Sequence, residues 1–199
     1  MINNIPPKKR IAIIGATSPI GKHIASSLIS DYDLNLTYRN KNLLPKTFRN
    51  QAHIDCHYYD FECQDQPDIQ MIKDCHIIIW TVHISHLTEK KQIEMNYNAM
   101  QSFLSILKQA NVQKIIYMSS GGSIYGIPSI VPVSETHPLH PVSPYGKAKK
   151  AVETLLDDFC SRTDIDYVIL RPGNIYGPDS ITGRSKGIIA SYLNSALNN

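Results

Sequence analysis

The chain lacks most of the features that mark specialised protein classes. It has four cysteines, at positions 56, 63, 75 and 160, and no two of them form a close pair. That excludes a disulfide-stapled scaffold and leads us to expect the reduced thiols of a cytoplasmic protein. Long hydrophobic runs are missing. The longest, "IIIWTV" at 77–82, is strand-sized against the ~20 residues of a membrane span, so no membrane association is expected. The opening "MINNIPPKKR" has no apolar region of the signal-peptide kind, and export is not indicated. Neither sign of charge dominates: the net charge is +3, and apart from Lys8–Arg10 the basic residues are scattered, which argues against nucleic acid as a partner. His53, Cys56, His57, Cys63, Cys75 and His76 crowd one stretch, but their spacing fits no standard zinc pattern and no metal is expected. There is no internal repeat and no low-complexity segment.

What remains is an ordinary composition, 42% hydrophobic and 19% charged over 199 residues, long enough for one domain with a substantial core. Strand-sized apolar runs alternate with helical patterns, which predicts parallel strands joined by crossover helices. The runs are "RIAIIG" (10–15), "LNLTY" (34–38), a weaker "HIDCHYY" (53–59), "HIIIWTV" (76–82), "KIIYM" (114–118) and "DYVILR" (166–171). Helical spacing covers residues 19–30 and 89–110. A third helix, 144–160, opens with Ser143 as N-cap and Pro144 at its first position. The loop 121–143, with five prolines counting Pro144 just beyond it, is long enough to suggest function. The expected fold is α/β, a doubly wound and mostly parallel Rossmann sheet with helices on both faces.

Between the first strand and the first helix lies "GATSPIG" (15–21), the context in which a glycine-rich loop signals a dinucleotide site. Gly15 permits a tight turn, Gly21 a close helix–strand approach, and the helix N-terminus offers N–H groups to a pyrophosphate. Ser18 stands where that pattern has its middle glycine; its hydroxyl could itself donate to phosphate. Pro19 and Ile20 complete the loop. After the second strand, NAD enzymes present a carboxylate to the ribose. No Asp or Glu occurs between Leu34 and Ile54, and Arg39, with Lys41 nearby, is expected to face a 2′-phosphate instead. That tilts the cofactor from NAD toward NADP.

Tyr145 and Lys149 are four apart on the predicted third helix and share a face. An ammonium beside a phenol is expected to stabilise phenolate and lower its pKa. Upstream, "YMSSGGSIYG" (117–126) places hydroxyls around a glycine pair at a strand end.

With "GATSPIG", "YMSSGGSIYG", "SPYGKAKKAVE" and "LRPGNIYGP" (170–178) occurring in this order, the chain resembles the extended short-chain dehydrogenase/reductases, specifically the NAD-dependent epimerase/dehydratase family. The resemblance runs from about residue 8 to 199. It implies Tyr145 as general base or acid at a sugar hydroxyl, and Lys149 as its modulator and a contact of the nicotinamide ribose. Asp60 and Phe61 match the adenine-side contact, Thr81 and Val82 the lining at the end of the fourth strand, and Asn96 the asparagine that follows it. Pro172 and Gly173 match residues near the nicotinamide, and Asn174 a contact to the nucleotide-sugar phosphates. The catalytic hydroxyl of many relatives corresponds to Gly121 here. Ser120 is taken as its substitute, with Ser123 also near the substrate. Gly122 and Ser123 stand where sugar dehydratases carry an Asp–Glu pair, so dehydration is not expected.

The resemblance also implies a smaller substrate domain, of which this chain would hold little: residues 1–180 form the cofactor domain and 181–199 the start of a second lobe, with a helix over 185–197. The implied function is an NAD(P)-dependent nucleotide-sugar epimerase or reductase in surface-polysaccharide or lipopolysaccharide synthesis. It would act on a nucleotide sugar as a homodimer joined through helices 89–110 and 144–160. An NADPH-dependent carbonyl reductase and a non-catalytic cofactor-binding remnant are the alternatives.

Overall fold

The computed structural model describes residues 8–49, 51–63, 66–176, 192 and 195–197. The expected boundary at 180/181 and most of the expected helix 185–197 lie outside the described residues. Six strands form one sheet, all neighbours parallel: β1 (Arg10–Ile14), β2 (Asp33–Tyr38), β3 (Ile54–Tyr58), β4 (Cys75–Trp80), β5 (Lys114–Met118) and β6 (Asp166–Leu170), in the order β3-β2-β1-β4-β5-β6. This is the doubly wound order expected from the sequence. Ile11–Ile14 are all buried because β1 is covered on both faces, which is why the strand reads as a continuous apolar run.

Helices α2 (Glu89–Leu107) and α4 (Pro144–Cys160) lie side by side on one face, over a core that includes Trp80, Phe103, Leu104, Tyr117 and Leu156. Helix α1 (Pro19–Leu28) covers the other face with Leu34, Leu36, Leu44 and Phe48. Ser143 caps α4 as the sequence predicts, its Oγ accepting from Gly146 N at 3.1 Å.

The alternation of strand and helix does not hold throughout. Between β2 and β3 the chain makes two single 3₁₀ turns, Lys41–Leu43 and Lys46–Phe48, separated by Pro45, which lacks the N–H of a continuing helix and holds Leu44 before it extended at ψ 126°. A third and a fourth 3₁₀ turn, Phe61–Cys63 and Ile69–Ile72, serve between β3 and β4. Leu44 and Phe48 still plug the sheet face that a helix would have covered. The long loop after β5 opens with one unanticipated turn of helix, α3 (Gly121–Ile124).

β1 pairs with β2 on one side and with β4 on the other, so the chain reverses direction across the sheet between β1 and β4. At such a switch point the loops leaving the strands' carboxyl ends part and open a crevice.

Candidate active site

Two cavities meet above that crevice. A cleft of about 670 Å³ is lined by Gly15, Thr17, Ser18 and Pro19 after β1, Tyr38 and Arg39 after β2, Phe61 and Glu62 after β3, and Thr81, Val82 and His83 after β4. A pocket of about 350 Å³ continues from it at Thr81 and His83. Its walls include Ile20, Ser119, Ser120, Ser123, Tyr145, Lys149, Pro172, Gly173 and Asn174. Nearly all of the predicted site residues therefore face one continuous space.

Gly15 has φ +92° and packs so tightly on the β4 loop that a Cβ there would stand 2.2 Å from Val82 Cγ1. Gly21 does not line the cleft. A Cβ on it would lie 2.3 Å from Gly15 O, so its role is to let α1 seat against the loop. Ser18 faces the cleft, but its hydroxyl is not free for a phosphate. It accepts from Gly21 N at 2.9 Å as the N-cap of α1 and lies 3.2 Å from Thr81 Oγ1. Thr81 Oγ1 in turn donates to Ile14 O at 2.9 Å, which leaves Ser18 as the donor of the Ser–Thr bond. Capping takes its acceptor role and Thr81 its proton, and the loop's phosphate chemistry falls to its backbone.

Lys149 is 3% exposed, and its Nζ donates to Met118 O at 2.6 Å. The amine also lies 4.8 Å from the centre of the Tyr117 ring and 5.6 Å from that of Tyr145. Burial pushes Lys149 down to about 7, against the opposing pull of Glu153. This overturns the expectation of a lowered Tyr145 pKa. Burial raises the phenol, and the effect that works against it is a hydrogen bond with Ser120. The lysine sits over the rings rather than at the phenol oxygen, and its own burial costs it much of its charge. Ser120 and Tyr145 line the same pocket. Gly146 makes their approach possible, since a Cβ there would meet Ser123 O at 2.3 Å and drive α3 away from α4.

Gly121 passes as closely on the other side, where a Cβ would lie 2.6 Å from Arg171 O, while Gly121 N donates to Pro172 O at 2.8 Å. Arg171 pairs with buried Glu153 (2.7 Å) and donates to Tyr125 Oη (2.9 Å) and Glu135 O (3.0 Å), tying the loop after α3 to α4. Ser119 Oγ, on the wall of the smaller pocket, is buried without a hydrogen-bond partner among the described residues, as befits a site built around a polar ligand.

Two predicted residues behave differently from expectation. Asn96 lines neither cavity. Its amide bonds to both the N–H and the carbonyl of Ile84 (3.0 and 2.9 Å) and to Gln92 O (2.7 Å), so it shapes the loop after β4 from behind. Asp60 is nearly buried and accepts from Glu62 N at 3.1 Å, holding the turn Phe61–Cys63. Arg39 does reach the cleft, but its guanidinium pairs with Glu62, with Asp60 Oδ1 4.0 Å away.

Sequence reasoning missed Glu62 and His83. The ring of His83 meets that of Tyr145, and Gln92 Nε2 lies 3.1 Å from its Nε2. An amide nitrogen only donates, so this contact leaves the ring proton on Nδ1. Burial, and then the charge of Lys149, push His83 down to about 3. The available signal was position: His83 follows Thr81 and Val82 directly at a strand end that feeds the crevice. Among the described residues, no group of three or more His, Cys, Asp or Glu side chains could hold a metal, and no helix is long and apolar enough to cross a membrane.

A doubly wound sheet with a glycine loop at its switch point and a Tyr–Lys pair on the neighbouring helix defines a dinucleotide-binding domain of the short-chain dehydrogenase/reductase type. Residues 11–199 match the model of the NAD dependent epimerase/dehydratase family, and the chain belongs to that family. A Methanocaldococcus jannaschii protein described as a UDP-glucose 4-epimerase is 30% identical over 95% of this chain and 63% of its own length. The UDP-glucose 4-epimerase of Streptococcus mutans is 27% identical over 87% of this chain and 54% of its own. Among solved structures, the UDP-N-acetylglucosamine 4-epimerase of Methanobrevibacter ruminantium, in complex with UDP-N-acetylmuramic acid, shares the fold. Its TM-score is 0.81 at 23% identity, over 97% of this chain and 64% of that one. The chain thus spans under two thirds of the length of these relatives.

Proposed function

We propose that this chain carries the cofactor-binding and proton-transfer groups of a nucleotide-sugar epimerase that works by hydride transfer at a sugar carbon. The observation that carries this reading is the convergence of Ser120, Tyr145 and Lys149 on a pocket continuous with the dinucleotide cleft. When bound, the nicotinamide would supply the acceptor for a hydride from that carbon and the donor that gives it back to the opposite face. Tyr145 Oη takes the proton of the sugar hydroxyl and returns it, and Ser120 Oγ holds the same oxygen through the transfer. Lys149, fastened to Met118 O, keeps the Tyr145 ring in place and presents its amine to the cofactor ribose. Gly15, Pro19 and Ile20 seat the pyrophosphate, with Ser18 and Gly21 shaping that loop. Phe61 borders the adenine and Val82 the cofactor's inner face. Pro172 and Gly173 flank the nicotinamide, and Ser123 and Asn174 meet the nucleotide sugar. The names borne by the relatives favour a UDP-sugar.

The same reading divides the protein at about residue 180 and pairs two copies across α2 and α4. It assigns the reaction to the supply of sugars for surface polysaccharide. One observation favours a binding protein without turnover instead: Ser18 stands in place of the glycine loop's middle glycine, and its hydroxyl accepts from Gly21 N at 2.9 Å.

Titrating the purified chain with NAD(H) while following Trp80, then incubating with UDP-galactose under ¹H NMR, tests both readings. Saturable binding with appearance of UDP-glucose, and loss of that conversion but not of binding in Tyr145→Phe, is the expected outcome. Binding without conversion supports the non-catalytic reading. Conversion that survives in Tyr145→Phe removes Tyr145 from its role.

A further inference from the structure

The end of β2 lacks the carboxylate that an NAD site places there, yet the cleft mouth is not without one. We propose that Glu62, reaching across from the turn after β3, makes the site select NAD(H) over NADP(H). This rests on the proposed use of the cleft for a dinucleotide.

Three observations carry it. Glu62 and Arg39 both line the cleft, and they are ion-paired, so the guanidinium that could meet a 2′-phosphate already has an anionic partner. Glu62 is also held in position, because its backbone N–H donates to Asp60 Oδ1 at 3.1 Å and so fixes the turn Phe61–Cys63. Finally, the charges do not balance in favour of phosphate. Asp60 Oδ1 is 4.0 Å from Arg39, giving two carboxylates to one guanidinium among the described residues, with His86 Nε2 3.8 Å from Glu62.

A 2′-phosphate carries about −1.5 to −2 charges. To reach Arg39 it must displace Glu62 and then share a half-open site with the displaced carboxylate. A ribose 2′-hydroxyl has the opposite relation, since it can donate to that carboxylate. The Arg39–Glu62 pair is itself half-exposed and contributes little to stability. Discrimination comes from repulsion of the wrong cofactor, not from the strength of the pair.

The test is equilibrium titration of Trp80 fluorescence with NADH and with NADPH, on the native chain, Glu62→Gln, and the double variant Arg39→Ala/Glu62→Gln. The native chain is expected to bind NADH about tenfold more tightly than NADPH, the scale of one unscreened like-charge contact. Glu62→Gln is expected to weaken NADH by no more than about threefold, because the amide oxygen still accepts, while tightening NADPH about tenfold. That gain should shrink in high salt and vanish in the double variant, where the freed guanidinium is gone. Native preference for NADPH, or an equal shift of both cofactors in Glu62→Gln, overturns the inference and leaves the proposed function standing. A folded native chain that binds neither cofactor overturns both.

Discussion

The rings of His83 and Tyr145 meet edge to face, with centroids 4.5 Å apart and planes at 72°. A histidine in this position, held neutral by burial and by the neighbouring Lys149, fixes one side of the proposed proton-transfer residue without adding charge to it. The imidazole is expected to show no titration between pH 8 and 5 when its Cε1–H resonance is followed by NMR. A midpoint near the usual 6.5 would mean that water reaches the ring.

Lys149 links its protonation to stability. With a folded value of about 7 and an unfolded one near ~10.4, the unfolded chain holds a proton across this window that the folded chain does not. Raising the pH removes that proton from the unfolded state, so stability rises with pH between 7 and 10, by at most about 1.4 kcal/mol per unit. Urea midpoints across this range should climb more steeply for the native chain than for Lys149→Met. Parallel curves would place the native amine in an ordinary aqueous environment.

Gly146 is where α3 and α4 touch. Alanine there would force its Cβ to within 2.3 Å of Ser123 O, and the two segments would have to separate. Gly146→Ala should cost about 2 kcal/mol in denaturant unfolding and uncouple Ser120 from Tyr145. Unchanged stability would show that α3 moves freely.

Glu153 is buried, and Arg171 answers its charge. Arg171→Met leaves the carboxylate without its paired guanidinium and should lower stability by about 3 kcal/mol. Adding Glu153→Gln to it should recover much of the loss, because the orphaned charge is then gone. A double variant no better than the single one would put the cost in the loop contacts to Tyr125 and Glu135 instead.

Much of this molecule was legible in the chain itself, and the reason is local. "KIIYM" and residues 144–160 fall on the element bounds found, because a continuous apolar run and a Ser-Pro entry each determine their own conformation over a few residues. The same holds for Gly15 at the first turn and for the four-residue spacing that puts Tyr145 and Lys149 on one face. The 3₁₀ turns after β2 and β3 were less legible, since a short connection pinned by Pro45 or by the Asp68 cap carries no period to read.

Only the tertiary structure decided what these groups do to one another. Glu62 meets Arg39 because β3 lies beside β2 in parallel register, and His83 meets Tyr145 because β4 lies beside β5, so that the loop after β4 and the start of α4 come together on that side of the switch point. Lys149 was visible as a partner of Tyr145, but the direction of the Tyr145 shift depended on how deeply the phenol itself is buried. Ser18 was visible in the glycine loop, but that its hydroxyl proton faces Thr81, sixty-three residues away, was not. Residue type and spacing establish which groups are present. Sheet order, register and burial set their neighbours and their charge, and no local pattern encodes those.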